Sequence, residues 1–156
     1  MRRKDVSIQP PAPEELAYLA GVIDGEGHVM ARRVKPGRVD FGLVLCMADI
    51  PILEWVHERF GGSYSGAWIN EKTKSRPRKM WHLSRAADLA FLIPQLAPYL
   101  VLKRREAEIV ALIARHSLDP KGFASGGRRG EGRTQEWRDH QDRLVSEFRI
   151  AFDARH

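Results

Sequence analysis

The sequence predicts an α+β domain with an antiparallel sheet and its helices on one face. Hydrophobic spacing changes between the helical period and strand-like alternation in the order helix, two strands, helix, two strands, helices. Each strand pair is joined by a turn or loop rather than by a crossover helix, which makes the pairs hairpins. Hydrophobic residues make up 43% of the 156-residue chain, and Cys46 is the only cysteine, so the core must form without an intramolecular disulfide or a cysteine-rich zinc site.

The elements follow in order. Residues 1–13 are polar, charged and proline-bearing and read as a flexible arm. A helix begins with Pro13 in its first turn and Glu14 and Glu15 set against its dipole, and runs to about Asp24. His28 to Val34 and Val39 to Met47 flank the turn signal Lys35-Pro36-Gly37-Arg38 and form the first hairpin. Asp49 is placed to cap a helix over Ile50 to Phe60, with Ile52, Leu53, Val56 and Phe60 on one side and Gly61-Gly62 at its end. Gly62 to Ile69 and Arg78 to Leu83 make the second hairpin. Ser84 is placed to cap a helix stopped by Pro94, and a longer helix after Pro98 carries Leu102, Ile109, Val110 and Ile113 to about His116. Residues 117–133 are glycine- and charge-rich and read as a linker or loop; Thr134 opens a last helix over 134–156 with Trp137, Leu144, Val145, Phe148 and Phe152 on one side, which favours packing on the domain.

Charge narrows the function. Lys plus Arg number 26 against 20 Asp plus Glu, a net +6, with a sequence pI near 9.8, and this favours a phosphate-rich partner. Residues 117–156 hold 8 basic against 7 acidic residues, so the excess sits in the front of the chain, in clusters around Arg32–Arg38 and Lys72–Lys79. No apolar run approaches the ~18 residues of a membrane span. The charged start Met1-Arg2-Arg3-Lys4-Asp5 has no apolar stretch behind it, and the expectation is a soluble, intracellular protein.

Residues 17–27 break two local rules. Ala17, Gly21 and Gly25 lie at i, i+4 and i+8, with Ala20 and Asp24 on the adjacent row, although glycine inside a helix costs about 1 kcal/mol relative to alanine. Such a strip lets a second helix, from this chain or from another copy, approach closely. Asp24 and Glu26 stand at the negative end of the helix dipole, where carboxylates are disfavoured unless protons or divalent cations compensate; their hard oxygens suit Mg²⁺ or a similar ion.

The run Leu19-Ala20-Gly21-Val22-Ile23-Asp24-Gly25-Glu26-Gly27 closely resembles the LAGLIDADG motif of homing endonucleases. Element order, the Phe60-Gly61-Gly62 helix ending and Leu100-Val101-Leu102-Lys103-Arg104-Arg105 extend the resemblance over residues 14–116. One copy of the motif corresponds to the single-motif subclass. The resemblance implies an αββαββα fold with a four-stranded saddle-shaped sheet and a homodimer through the motif helix, with Ala17, Ala20, Gly21, Asp24 and Gly25 at the interface. It implies that Glu26, with the carbonyl of Gly25, binds a catalytic Mg²⁺ or Mn²⁺, Ca²⁺ supporting binding without cleavage, and that Lys103 is catalytic at the active-site edge. Met47 falls where many members carry a polar, water-organising residue, which shifts that task to groups such as Lys103 and His28 or lowers activity.

The implied partner is double-stranded DNA, held by Arg32, Arg33, Lys35, Arg38 and Asp40 of the first hairpin and Trp68, Asn70, Lys72, Lys74, Arg76, Arg78 and Lys79 of the second. The implied reaction is metal-dependent cleavage of both strands of a long pseudo-palindromic site, leaving 3′ overhangs. Two rival readings use the same scaffold: a maturase binding intron RNA, and a DNA-binding regulator impaired in cleavage. His57, His82, His116, His140 and His156 show no metal-ligand spacing, and Trp55, Trp81 and Cys46 read as buried residues.

Overall fold

The computed structural model describes residues 5–35, 38–68, 76–119 and 133–156. Among them the order is α1 (Pro13–Glu26), β1 (Gly27–Lys35), β2 (Arg38–Met47), α2 (Ile50–Phe60), β3 (Ser63–Trp68), β4 (Arg78–Leu83), α3 (Ala86–Leu96), a 3₁₀ turn (Ala97–Tyr99), α4 (Arg104–Leu118) and α5 (Gln135–Arg155). The strands form one open antiparallel sheet in the order β1-β2-β4-β3. The helices pack on one of its faces, as alternation along the strands requires. Leu43, Leu45, Trp81 and Leu83 are fully buried there against Leu19, Ile23, Leu53, Phe60, Leu92 and Leu96. Among the described residues no helix is long and apolar enough to cross a membrane.

Two glycines make sharp junctions possible. Helix α1 passes into β1 without a loop, and a Cβ on Gly27 would stand 2.6 Å from the Ile23 Cα. Gly61 ends α2 at φ 67°, a conformation that glycine adopts without steric cost, and its carbonyl accepts from Trp81 Nε1 at 2.6 Å.

The structure departs from several sequence expectations. The segment from residue 5 to α1, read as part of a flexible arm, is pinned: Ile8 is buried, and the Ser7 N–H and hydroxyl both donate to the Asp88 carboxylate at 2.6 Å. Helix α3 runs through Pro94 to Leu96, because a proline in the last turn removes only one helical donor. Neither Asp49 nor Ser84 supplies a side-chain cap; Arg85 is the N-cap residue of α3. Helix α4 starts only at Arg104, so Leu102 lies outside the helix and is 58% exposed. The read linker is shorter than 117–133 where it is described: Ser117 and Leu118 still belong to α4, and Arg133 donates to the carbonyls of Ser117 and Asp119. Thr134 does cap α5, accepting from the Trp137 N–H at 3.2 Å. The helix is tied to α4 by Arg155, which donates to the buried Glu106 carboxylate at 2.6 Å.

Candidate metal centre and nucleic-acid face

Helix α1 shows two faces. Leu16, Leu19, Ala20 and Ile23 point into the core, while Ala17, Tyr18, Gly21 and Gly25 are exposed. Ala20, placed by sequence at a helix–helix interface, is 0% exposed within this one chain and belongs to the core instead. A Cβ at Gly21 or Gly25 would meet nothing within 4 Å. Nothing described in this chain therefore requires these two residues to be small, although each costs helix stability.

Asp24 and Lys103 form a reciprocal clasp between the end of α1 and the start of α4. The Asp24 carboxylate accepts the backbone N–H groups of Val101 (2.6 Å), Leu102 (3.2 Å) and Lys103 (3.1 Å). The Lys103 ammonium donates to the carbonyls of Ile23 (2.6 Å), Asp24 (2.9 Å) and Gly27 (2.8 Å). Each side chain satisfies backbone groups that a helix end leaves open, and each has the charge that the opposing dipole favours. Burial, and then the nearby Arg155, push the Lys103 ammonium below the usual lysine pKa, while Asp24, Glu106 and Glu26 pull it up. An ammonium has only three protons, and all are directed at carbonyls. Lys103 is therefore placed to hold the end of the motif helix against the start of α4.

Glu26 is the last residue of α1, exposed, and without an ion pair among the described residues. Asp24 is committed to the clasp, so Glu26 and the neighbouring Gly25 carbonyl are the hard oxygen donors left for a cation. Among the described residues no group of three or more His, Cys, Asp or Glu side chains could hold a metal ion. One chain offers a partial ligand set, which fits Mg²⁺, an ion usually bound by one or two carboxylates with water and phosphate oxygens completing its shell. The helix C-terminus adds negative potential at the same point.

The register decides which strand residues face the open side. From one end of the sheet to the other, the outward rows are Lys35 and Arg38; Arg32 and Asp40; Met30 and Gly42; His28, Val44, His82 and Ser63; Cys46, Met80 and Ser65; then Arg78, whose backbone partner is Trp68. An irregularity between Arg33 and Lys35 brings Lys35 onto this face. Asp40 lies between Arg32 (3.7 Å) and Arg38 (4.0 Å). The sequence-predicted Arg33 and Lys79 are on the other face, Arg33 in an ion pair with Asp142 of α5 and Lys79 over the Tyr64 ring. Arg76 is exposed just before β4; Asn70, Lys72 and Lys74 lie outside the described residues.

Met47 is buried among core residues, so a polar side chain at that position would not face the open side. The outward neighbour there is Cys46, half-buried on the open face rather than inside the core. His82 lies over Gly42, whose Cβ would come within 2.8 Å of the imidazole Nε2. Burial pushes the His82 pKa down, with Asp40 opposing.

The end of α5 is a neighbour that sequence reasoning missed. Phe152 meets the His28 ring edge-on at 6.2 Å, and burial, with Lys103, Arg155 and His156 nearby, lowers the His28 pKa. The apolar stripe of α5 was legible, but where its last turn would dock was not.

No family model matches the sequence, and no curated protein does. Solved structures share the fold. The homing endonuclease I-CvuI, in complex with its target in the presence of calcium, superposes with a TM-score of 0.66 at 19% identity over 88% of this chain and 82% of its own. The archaeal intron-encoded homing endonuclease I-Vdi141I, complexed with DNA, gives 0.55 at 16% identity over 88% and 98%. The LAGLIDADG homing endonuclease I-GzeII, in complex with a DNA target, gives 0.55 at 18% identity over 77% of this chain and 40% of its own. The chain has the fold of the LAGLIDADG homing endonucleases.

Proposed function

We propose that this chain is a site-specific DNA endonuclease that acts as a homodimer and cuts both strands of a long, partly palindromic duplex, leaving 3′ overhangs. One observation carries the reading: the exposed Glu26, without an ion pair among the described residues, stands where the glycine-lined outer face of α1 ends and the open sheet face begins. Two copies packed along Ala17, Gly21 and Gly25 would bring two such carboxylates together beside two open sheets. The basic residues at both ends of each sheet suit a phosphate backbone on either side of the bases that the face would cover.

Glu26 and the Gly25 carbonyl of each chain would hold the divalent cation. Bound there, Mg²⁺ or Mn²⁺ supplies an activated water and charge stabilisation at the scissile phosphate. Lys103 and Asp24 keep the ligand-bearing end of α1 against α4, so that Glu26 meets the phosphate from a fixed position. Arg32, Lys35, Arg38 and Arg78 contact phosphates or guanines from the sheet ends. Duplex DNA is favoured over intron RNA because a sheet face can enter the wide major groove of B-DNA, whereas the deep, narrow major groove of A-form RNA excludes it.

Selection from a randomised duplex library in Ca²⁺, followed by a switch to Mg²⁺, tests the reading. The expected result is a long two-fold-related site that is cut on the switch. A bound but uncut site points instead to a DNA-binding regulator, and enrichment of RNA alone to a maturase. The dimer has its own test. Gly21→Leu finds open space within the chain, so the monomer should remain folded while sedimentation shows half the native mass. An unchanged mass rejects the helix-pair interface.

A further inference from the structure

The open sheet face is charged only toward its ends. Lys35, Arg38, Arg32 and Asp40 occupy one end and Arg78 the other, while the rows between them carry Met30, Val44, Cys46 and Met80. None of these apolar residues belongs to the core cluster, although their inward neighbours Leu43, Leu45, Val39 and Phe41 do or pack against it. Of the polar groups of the same rows, His28 is exposed beside Phe152, whereas those on β3 and β4 are directed back into the protein. Ser63 and Ser65 hydroxyls donate to the carbonyls of His82 (3.2 Å) and Met80 (3.4 Å), and His82 Nε2 is buried over Gly42.

We infer that the middle of this face reads thymine methyl groups, so that each half-site of the target carries a thymine-bearing, A·T-rich run between two flanks gripped through charge. The inference rests on the DNA endonuclease reading above and names what that surface selects. In the major groove a base pair presents donors, acceptors and, at thymine alone, a methyl group. Met, Val and half-buried Cys side chains suit the methyl and offer the base edges no strong donor or acceptor. A G·C pair presents as many donors and acceptors as an A·T pair but no methyl group, so over it these side chains lose the one contact they are suited to make. Along β2, Gly42 to Cys46 spans about 13 Å, roughly four base-pair steps.

Deoxyuridine is the probe, since it keeps every hydrogen-bonding edge of thymidine and lacks only the methyl. With the selected duplex bound in Ca²⁺, each uracil within the central run of a half-site should weaken binding about fourfold, the value of one buried methyl group, and uracil in the flanks should change nothing. Met80→Ala, at a side chain already 38% exposed and so tolerated by the fold, should abolish the uracil penalty at one step while preserving it at the others. Full affinity with uracil throughout the run, or a G·C-rich run in the selected sites, overturns the inference and leaves the endonuclease reading standing. Failure to enrich any duplex overturns both.

Discussion

Glu26→Gln should abolish strand cleavage and leave DNA affinity in Ca²⁺ nearly unchanged. The substitution keeps the shape of the side chain and removes one negative charge from the position where a divalent cation would be held. Losing a ligand charge that contributes about 4 kcal/mol to the transition state corresponds to a fall of about 10³-fold in rate. Folding should be unaffected, because Glu26 is exposed and makes no ion pair among the described residues. The measurement is single-turnover cleavage in Mg²⁺ beside a binding isotherm in Ca²⁺. Cutting at the wild-type rate would remove Glu26 from the metal site, and equal loss of binding and cleavage would assign it to DNA contact.

Lys103→Met separates holding the helix from touching the substrate. Methionine matches the stem of lysine in length and removes the ammonium, leaving the carbonyls of Ile23, Asp24 and Gly27 without that donor in a site where Lys103 is 7% exposed. Unsatisfied buried acceptors at this density should cost about 3 kcal/mol, a fall in melting temperature of about 6–12 °C for a chain of this size. Cleavage should fall with it, since the end of α1 that carries Glu26 loses its anchor on α4. Asp24→Asn should give a smaller loss in the same direction, because the amide oxygen can still accept some of the N–H groups that the carboxylate serves. An unchanged melting temperature with cleavage lost would return Lys103 to direct contact with the phosphate.

Much of this architecture was legible in the residues. The helical spacing of Leu53, Val56 and Phe60 and the Gly61-Gly62 stop are local patterns tied to the geometry of one element, and the structure reproduces them. The element order followed, and with it the sheet of two hairpins. The Thr134 cap of α5 was legible for the same reason, since a cap depends on residues three apart.

The sequence by itself determined the elements, the glycine-lined strip and the acid at the helix end. The tertiary structure decided what those residues face. Strand alternation leaves two phases open, and only the pairing register settled that Met47 points inward and Cys46 outward, and that Arg33 and Lys79 lie away from the open face. The irregularity after Arg33 reverses the phase once more and brings Lys35 to the open side. Ala20 was set apart from Ala17 and Gly21 in the same way, by the direction in which α1 meets its core. The clasp between Asp24 and Lys103 joins residues 79 apart, and Ser7 reaches Asp88 across 81. Contacts of that range leave no periodic trace in a single sequence, because they depend on where whole elements come to rest and not on spacing within any one of them.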